Sequence, residues 1–149
     1  MIRDFVCSDT EKVIEFHKRI LSETGVYIPG SWEEDLYNIE DVYIRPGGCF
    51  IIIEHNKEIQ AMGALKVISD NVAEIKRMRV ETTLQRQGFG QKILDYLLSY
   101  ARKQGYERIV LDTTNLQEAA QNFYIKNGFK EFDRKELNDM TIIFYELYL

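Results

Sequence analysis

A glycine turn directly before an amphipathic helix is the feature that most restricts how this chain can fold. The stretch RVETTLQRQGFGQKILDYLL, residues 79–98, joins a predicted strand to that helix. The first turn of a helix has backbone N–H groups without acceptors, and the helix dipole makes them attract anions. Gly88 and Gly90 let an anion approach where a Cβ would block it. The turn therefore indicates a phosphate site, with an ordinary helix start as the alternative.

The two phosphate loops with the best-defined motifs do not fit this turn. A P-loop has Lys and then Ser or Thr directly after its second glycine, whereas Gly90 is followed by Gln91, Lys92 and Ile93. A dinucleotide fingerprint needs glycine or alanine at position 93 and an early βαβ unit, and this chain has neither. What both loops share, an anion held by the start of a helix, is the interpretation that remains.

Hydrophobic periodicity and turn residues divide the chain into strands and helices in the order β-α-α-β-β-β-α-β-α-β-β. This order predicts an α/β fold, a mixed sheet with helices on its faces. Strands are predicted over 2–6, 49–55, 58–69, 72–80, 107–113, 129–137 and 140–149, and helices over 8–25, 32–37, 90–104 and 115–128.

Composition narrows the classes of protein and of partner. The chain has 149 residues, 45% hydrophobic and 29% charged, without a repeat or linker, which predicts one domain over 1–149. A net charge of −5 without a basic block argues against a nucleic-acid partner. No apolar run is long enough for a membrane span, and no secretory signal is recognised, so we expect a cytoplasmic protein. Cys7 and Cys49 make neither a disulfide framework nor a metal site.

Three segments together resemble the GCN5-related N-acetyltransferase (GNAT) family. QRQGFG is similar to that family's pyrophosphate loop, AEIKRMRV to its fourth strand, and LDTTNLQEAAQNFYIKNGF to its second cofactor motif. The order of elements also agrees over nearly the whole chain. The resemblance implies a mixed, mostly antiparallel sheet of about seven strands flanked by about four helices. It also implies an N-acetyltransferase that uses acetyl-CoA, without a metal, on a primary amine acceptor, which is either a small molecule or a peptide.

The resemblance implies a set of donor-binding residues. The turn would hold the pyrophosphate, and the backbone of the fourth strand, splayed from its neighbour, would hold the pantetheine arm. Where many relatives carry a pantetheine-binding Asn this chain has Gln117, and the nearest Asn is Asn115. Lys126 is interpreted either as a phosphate contact or as a solvated helix residue. The cofactor-binding residues predicted in this way are Met78, Val80, Gln85, Arg86, Gln87, Gly88, Phe89, Gly90, Gln91, Asn115, Tyr124 and Lys126.

The resemblance also implies an acid and a base. Tyr124 occupies the position of the family's general acid, where a phenol can donate to a leaving thiolate; a packed core tyrosine is the alternative. Glu74 matches the catalytic glutamate of part of the family, and burial would raise its pKa; an ion pair with Lys76 is the alternative. Strict alternation predicts that Glu74 and Lys76 share one face with Met78 and Val80. His17 is expected at the surface, as is His55.

The acceptor site is the least defined part of the sequence. YIPGSWEEDLYNIEDVY, residues 27–43, combines aromatic and acidic side chains that suit a cationic amine, or else form a solvated helix face. No cysteine occupies a motif position, which favours direct transfer in a ternary complex over an acyl-enzyme. A non-catalytic acyl-CoA-binding module and a transferase of longer acyl groups are the rival hypotheses. The apolar TIIFYELYL strand suggests a possible homodimer, or it is an internal strand.

Overall fold

One open sheet of seven strands organises the protein in a computed structural model, which describes residues 1–24 and 34–149. The predicted fold class and order of elements are confirmed. A short helical turn over Glu34–Tyr37 stands where the second helix was predicted over 32–37, and residues 32 and 33 of that prediction lie outside the described residues. A second helical turn, Glu40–Ile44, follows and was not predicted. The strands are β1 (Ile2–Asp4), β2 (Cys49–His55), β3 (Glu58–Val67), β4 (Val72–Val80), β5 (Arg108–Thr114), β6 (Lys130–Leu137) and β7 (Met140–Tyr148), and the helices are α1 (Thr10–Thr24), α2 (Phe89–Gln104) and α3 (Glu118–Lys126).

The sheet has the order β1-β2-β3-β4-β5-β7-β6, and only the β4–β5 pair is parallel. Parallel neighbours need a crossover connection, and α2 supplies it between β4 and β5. The parallel pairing is short, because it joins only Val72, Ala73 and Glu74 to residues 108–110. Two antiparallel halves, β1–β4 and β5–β7, therefore meet along a brief parallel seam.

Two hydrophobic cores lie on opposite faces of the sheet. On one face, α2 and α3 pack against the strands through residues such as Leu94, Leu97 and Phe129. On the other face, α1 and the turns after it pack through Phe16, Leu36 and other residues. The apolar stripe of α2 predicted from the sequence, Ile93, Leu94, Leu97, Leu98 and Ala101, is buried. A cleft opens between the two halves of the sheet.

A close approach of α2 to the sheet requires glycine in the middle of β3. A Cβ on Gly63 would stand 2.4 Å from Ile93 Cγ2 and 2.8 Å from Met78 Sδ. These distances are too short for any side chain, so Gly63 allows α2 to sit directly over β3 and β4. The start of α2 is thereby fixed next to the end of β4.

The β7 strand lies inside the sheet, between β5 and β6. Both of its edges are paired, so it offers no edge to another subunit, and the predicted homodimer cannot form by pairing of TIIFYELYL strands. The outer strand β6 is exposed along its whole length and carries six charged residues among Lys130–Glu136, a pattern that discourages further strand pairing. Among the described helices, none is long and apolar enough to span a membrane.

Candidate active site

The separation of β4 from β5 opens a cleft in the middle of the sheet. After Glu74, β4 pairs only with β3, and after Val110, β5 pairs only with β7. The cleft has a volume of about 490 Å³, and Met78, Tyr124 and Asp112 are among its lining residues. Because β4 has no partner on its β5 side beyond Glu74, its backbone groups there are available to a ligand.

A β-bulge at Arg77 decides which side chains of β4 face the cleft. Arg77 has a left-handed φ of +58°, and residues 77 and 78 together lie opposite Gly63, between the pairs Ala64–Lys76 and Met62–Arg79. A bulge inserts one residue and so reverses the alternation beyond it. The prediction from strict alternation is therefore wrong. Met78 and Val80 face the α2 core, together with Ala73 and Ile75, whereas Glu74, Lys76 and Arg79 face the opposite side.

Tyr124 stands on the α3 wall of the cleft. Its side chain is 6% exposed and packs edge-on against Phe123 and Phe129, with ring centroids 5.2 and 5.5 Å away. Its hydroxyl has no hydrogen-bond partner among the described residues, although it lines the cleft. Burial raises the pKa of Tyr124 above its ordinary value, so the phenol is protonated at neutral pH and can donate. A packed core tyrosine usually bonds its hydroxyl to the protein, and no such bond is found for Tyr124 within residues 1–24 and 34–149.

Two carboxylates line the same cleft from neighbouring strands. Burial raises the pKa of Glu74, and the charge of Asp112 raises it further, against the opposing effect of Lys76 and Lys66. Burial also raises the pKa of Asp112, against Lys76. In the described part of the chain Glu74 forms no ion pair, so the predicted pairing with Lys76 is not formed. A pair of carboxylates with raised pKa values is suited to accepting a proton.

Asp112 was not found by the sequence analysis. Its one signal is a carboxylate directly after the apolar strand segment IVL, residues 109–111. A charge inside a buried strand indicates either a partner or a site. The topology supplies the explanation, because β5 leaves β4 two residues before Asp112 and so exposes that side chain to the cleft.

An ion pair braces the wall of the cleft beneath β4. Arg77 donates from Nη2 to Asp35 Oδ1 at 2.6 Å and from Nε to Oδ2 at 2.9 Å, and Tyr43 donates to the same carboxylate at 2.5 Å. Burial alone would raise the pKa of Asp35, but the hydrogen bonds from Arg77 and Tyr43 outweigh it and lower that pKa. Asp35 is already paired with Arg77, so its carboxylate is not available to bind a cationic acceptor.

His17 lies behind this ion pair, not at the surface as predicted. It is 0% exposed, because α1 turns it inward, and its Nε2 lies 3.4 Å from Arg77 Nη1. Burial, and then the charges of Arg79 and Arg77, lower the pKa of His17 to about 4, so the ring is neutral at physiological pH. His55 is exposed, as predicted.

The glycine turn presents the start of α2 to open space. Residues 85–88 are exposed, Arg86 and Gly88 have positive φ values of 65° and 88°, and α2 begins at Phe89. A Cβ on Gly88 would meet no atom within 4 Å. The N–H of Lys92 donates to the Gly88 carbonyl, whereas the first turn of any helix leaves its own N–H groups without helical acceptors. The turn thus offers exposed backbone N–H groups at which an anion could be held.

The side chains of this turn mostly support the backbone. Gln85 Nε2 reaches the Val80 carbonyl at 3.5 Å, and Gln87 Nε2 reaches the Thr83 carbonyl at 3.3 Å. Gln91 donates to Asn127 Oδ1 at 2.8 Å and so joins the start of α2 to the end of α3. Arg86 is the exposed cation of the turn.

Three predicted donor contacts near α3 are placed differently from one another. Asn115 accepts a hydrogen bond from the Thr141 N–H at 2.9 Å, which ties it to β7 and away from the cleft. Gln117 lines the cleft, and its Oε1 accepts from the Thr114 N–H at 3.1 Å. Lys126 is exposed on the last turn of α3.

The aromatic and acidic segment predicted to hold the acceptor is only partly described. Tyr27, Trp32 and Glu33 lie outside the described residues. Glu34 and Asp35 line the cleft, while Asp41 pairs with Arg45 on the surface. The described residues contain no group of three or more His, Cys, Asp or Glu side chains placed to hold a metal ion.

Neither cysteine belongs to the cleft. Cys49 is buried in the α2 core, and burial raises the pKa of its thiol to about 12. Cys7 is exposed, and its Sγ donates to Glu40 at 2.9 Å.

Comparisons with known proteins agree with this architecture. The acetyltransferase (GNAT) family matches residues 12–129. The human N-acetyltransferase 8B is 32% identical over 112 residues, which cover 70% of this chain and 49% of that protein. The Xenopus tropicalis N-acetylaspartate synthetase is 33% identical over 98 residues, covering 64% of this chain and 36% of that protein. The chain thus spans half or less of the length of these relatives.

Solved structures extend the likeness to the whole chain. A GNAT-family acetyltransferase from Staphylococcus aureus Mu50 superposes with a TM-score of 0.89 at 29% identity, covering 99% of this chain and 98% of that chain. An aminoglycoside 6′-N-acetyltransferase complexed with coenzyme A shares the fold, with a TM-score of 0.77 at 15% identity and coverage of 99% and 96%. The glycine turn, the splayed strands and the family match lead to one conclusion: this chain belongs to the GNAT family of acetyltransferases.

Proposed function

We propose that this protein transfers an acetyl group from acetyl-CoA to a primary amine, directly and within a ternary complex. The observation that carries the proposal is the hydroxyl of Tyr124, which lines the same cleft as Glu74 and Asp112 and has no hydrogen-bond partner in the part of the chain that the structure describes. An acid and a base on two walls of one cleft are what amide formation from a thioester needs.

The described residues fit the donor. The GNAT family uses acetyl-CoA, which supplies an activated acetyl thioester. The open space at Gly88 and the N–H groups that start α2 suit its pyrophosphate, with Arg86 adding charge nearby. The unpaired edge of β4 at Met78 and Val80 suits the amides of the pantetheine arm. Gln117, which lines the cleft, is a better candidate than Asn115 for a side-chain amide contact to that arm.

The chemistry assigns each cleft group a role. The acceptor ammonium loses a proton to Glu74, with Asp112 able to share it, because burial keeps both pKa values above their ordinary range. The neutral nitrogen then forms the new N–C bond to the acetyl carbonyl carbon, and the C–S bond breaks. Tyr124 gives its proton to the departing thiolate and regains one from solvent, while the second proton of the nitrogen leaves to solvent. One proton is released overall.

Direct transfer is supported by the position of the two cysteines. An acyl-enzyme route needs a thiolate within the cleft, and the lining residues in the described part of the chain include no cysteine. The raised pKa of Cys49 also disfavours its thiolate form.

Calorimetric titration with acetyl-CoA, together with an assay of thiol release over a panel of amines, tests the proposal. Wild type and Tyr124→Phe should bind acetyl-CoA alike, while Tyr124→Phe should lower kcat by about 10²–10⁴-fold, the usual contribution of a general acid. Gly88→Glu should abolish binding, because it adds a side chain and a negative charge where the phosphates approach and also strains a position with φ of 88°.

Each outcome separates one hypothesis from its rival. Unchanged turnover in Tyr124→Phe would remove Tyr124 from the mechanism. Tight binding without thiol release for any amine would favour a non-catalytic acyl-CoA-binding module. Equal use of longer acyl-CoA donors would show that the donor is not restricted to acetyl.

A further inference from the structure

Arg79 is a cation on the wall of the cleft that no anion of the described residues neutralises. Its Nη1 donates to the Met78 carbonyl at 2.8 Å, and this is its one hydrogen bond among the described residues. Its Nε is completely buried and has no partner there. Burial, and then the neighbouring charge of Arg77, lower the pKa of Arg79 to about 10, so the guanidinium is still charged at neutral pH. A buried charge that lacks a partner favours binding of an anion.

The charges in the cleft are separated into two ends. Glu74 interacts electrostatically with Asp112, Lys66 and Lys76, so both carboxylates share one end. Arg79 interacts with Arg77 and with Tyr124, and the charge of Arg77 is already balanced by Asp35. Tyr124 interacts with both Arg79 and Asp112 and therefore lies between the ends. Both carboxylates, with Lys66 and Lys76 beside them, thus lie on one side of the phenol, and Arg79 lies on the other side.

Arg79 is placed for the acceptor and not for the donor. The bulge at Arg77 turns Arg79 to the α1 face, whereas Met78, Val80 and α2 lie on the opposite face. The glycine turn that suits the phosphates begins α2 and belongs to that opposite side. Without the bulge, Arg79 would point to the donor side.

We propose that the acceptor is a small amine that also carries a carboxylate, such as a free amino acid, and that Arg79 binds this carboxylate. This inference rests on the proposed function and specifies its substrate. The guanidinium retains N–H groups beyond the one used by Met78, and a carboxylate matches their planar geometry. The amine of the same molecule then lies toward Glu74 and Asp112, past Tyr124. An acceptor with only positive charges would place a cation against Arg79.

Matched pairs of acceptors test the inference. Each of the common amino acids is compared with its own amide, which keeps the amine and side chain and removes the carboxylate. For at least one pair, wild type should use the acid at least about tenfold better in kcat/KM, as expected for a charge-assisted hydrogen bond. Arg79→Gln should reduce that preference to about one, mainly through the KM of the acid, and Arg79→Lys should retain part of it.

A binding measurement gives a readout that does not depend on turnover. Calorimetry with protein saturated with CoA compares the acid and its amide in wild type, Arg79→Gln and Lys66→Gln. Lys66→Gln removes one positive charge from the other end of the same cleft and should keep the acid preference, whereas Arg79→Gln should lose it. Thermal unfolding of all variants shows that each is folded.

Several results would overturn the inference. Amides used as well as acids by wild type would do so, as would an acid preference that survives in Arg79→Gln. A loss of acetyl-CoA affinity in Arg79→Gln with an unchanged preference would assign Arg79 to the donor instead. If no amine is acetylated at all, the proposed function fails, and the binding comparison still decides: equal binding of acid and amide then rejects the carboxylate site.

Discussion

The glycine turn is formed by backbone groups, whereas the β4 wall of the cleft is formed by side chains. At the turn, the backbone forms the site, since Gly88 leaves open space and Gln85 and Gln87 bond to neighbouring carbonyls. On the β4 wall, charged side chains form it: Arg77 pairs with Asp35, and Arg79 has no anionic partner among the described residues. A backbone site suits a constant ligand, while a side-chain site can change with the acceptor. Substitutions should therefore act very differently in the two regions.

The largest effect is expected at the ion pair that braces the wall. Asp35→Asn should lower the free energy of unfolding by about 3 kcal/mol at pH 7, because it leaves the guanidinium of Arg77 buried without its anion. The pKa of Asp35 is lower in the folded state. Its contribution is therefore full above the unfolded-state pKa of about 3.9 and is lost as pH falls through the folded-state pKa. Urea unfolding across pH should show the difference from wild type shrinking below about pH 4.

Asp41→Asn is the matched control for that measurement. Asp41 pairs with Arg45 on the surface, with both side chains more than half exposed, so the change should be below about 1 kcal/mol. Equal effects of the two substitutions would show that the Asp35 pair does not brace the wall.

A smaller effect, on rate, is expected at the carboxylate end of the cleft. Glu74→Gln should lower kcat/KM about tenfold at pH 7, less than the usual general-base contribution of about 10²–10⁴, because Asp112 remains. The deficit should narrow toward about pH 10, where the amine is already neutral. Burial raises the pKa of Glu74, so the wild-type rate should fall on the acid side earlier than for an ordinary glutamate. A deficit that is constant across pH would exclude Glu74 as the base.

The smallest effect is expected at the turn. Arg86→Gln removes an exposed charge and should weaken acetyl-CoA binding by about fivefold or less, as surface ion pairs contribute at most about 1 kcal/mol. The difference from wild type should diminish with added salt. Calorimetry at two ionic strengths measures both. A loss above a hundredfold would mean that side chains hold the phosphates, and the contrast between the two regions would not stand.

The same contrast explains what could be predicted from the sequence. The turn carries its own local signal, glycines before an amphipathic helix, and every strand was placed within two residues of its observed bounds. Tyr124 was predicted from a motif that lies on one helix, and it lines the cleft. These features depend on residues that are close together in the chain, so the sequence pattern alone predicts them.

The β4 wall could not be predicted in the same way. Neither glycine nor proline marks the bulge at Arg77 in the sequence of β4. The one residue that indicates it is Gly63, which lies opposite the bulge on β3. One inserted residue places Arg79 on the α1 face of the sheet and Met78 on the α2 face. Asp112 and the buried His17 depend likewise on packing between segments distant in the chain. Side-chain sites assembled from several elements need the tertiary structure.

The short parallel seam between β4 and β5 also affects the order in which the parts of the sheet fold. The β2–β3–β4 meander and the β6–β7 hairpin join segments that are adjacent in the chain, so they need little loop closure. The seam joins Val72 to Arg108 across the whole of α2. Only three residue pairs of the described strands form there to offset the entropy lost when that long loop closes. The hydrophobic contacts of α2 with both halves must therefore form together with the seam. We therefore expect the pairing of β4 with β5, beside which the cleft opens, to be the last part of the sheet to form.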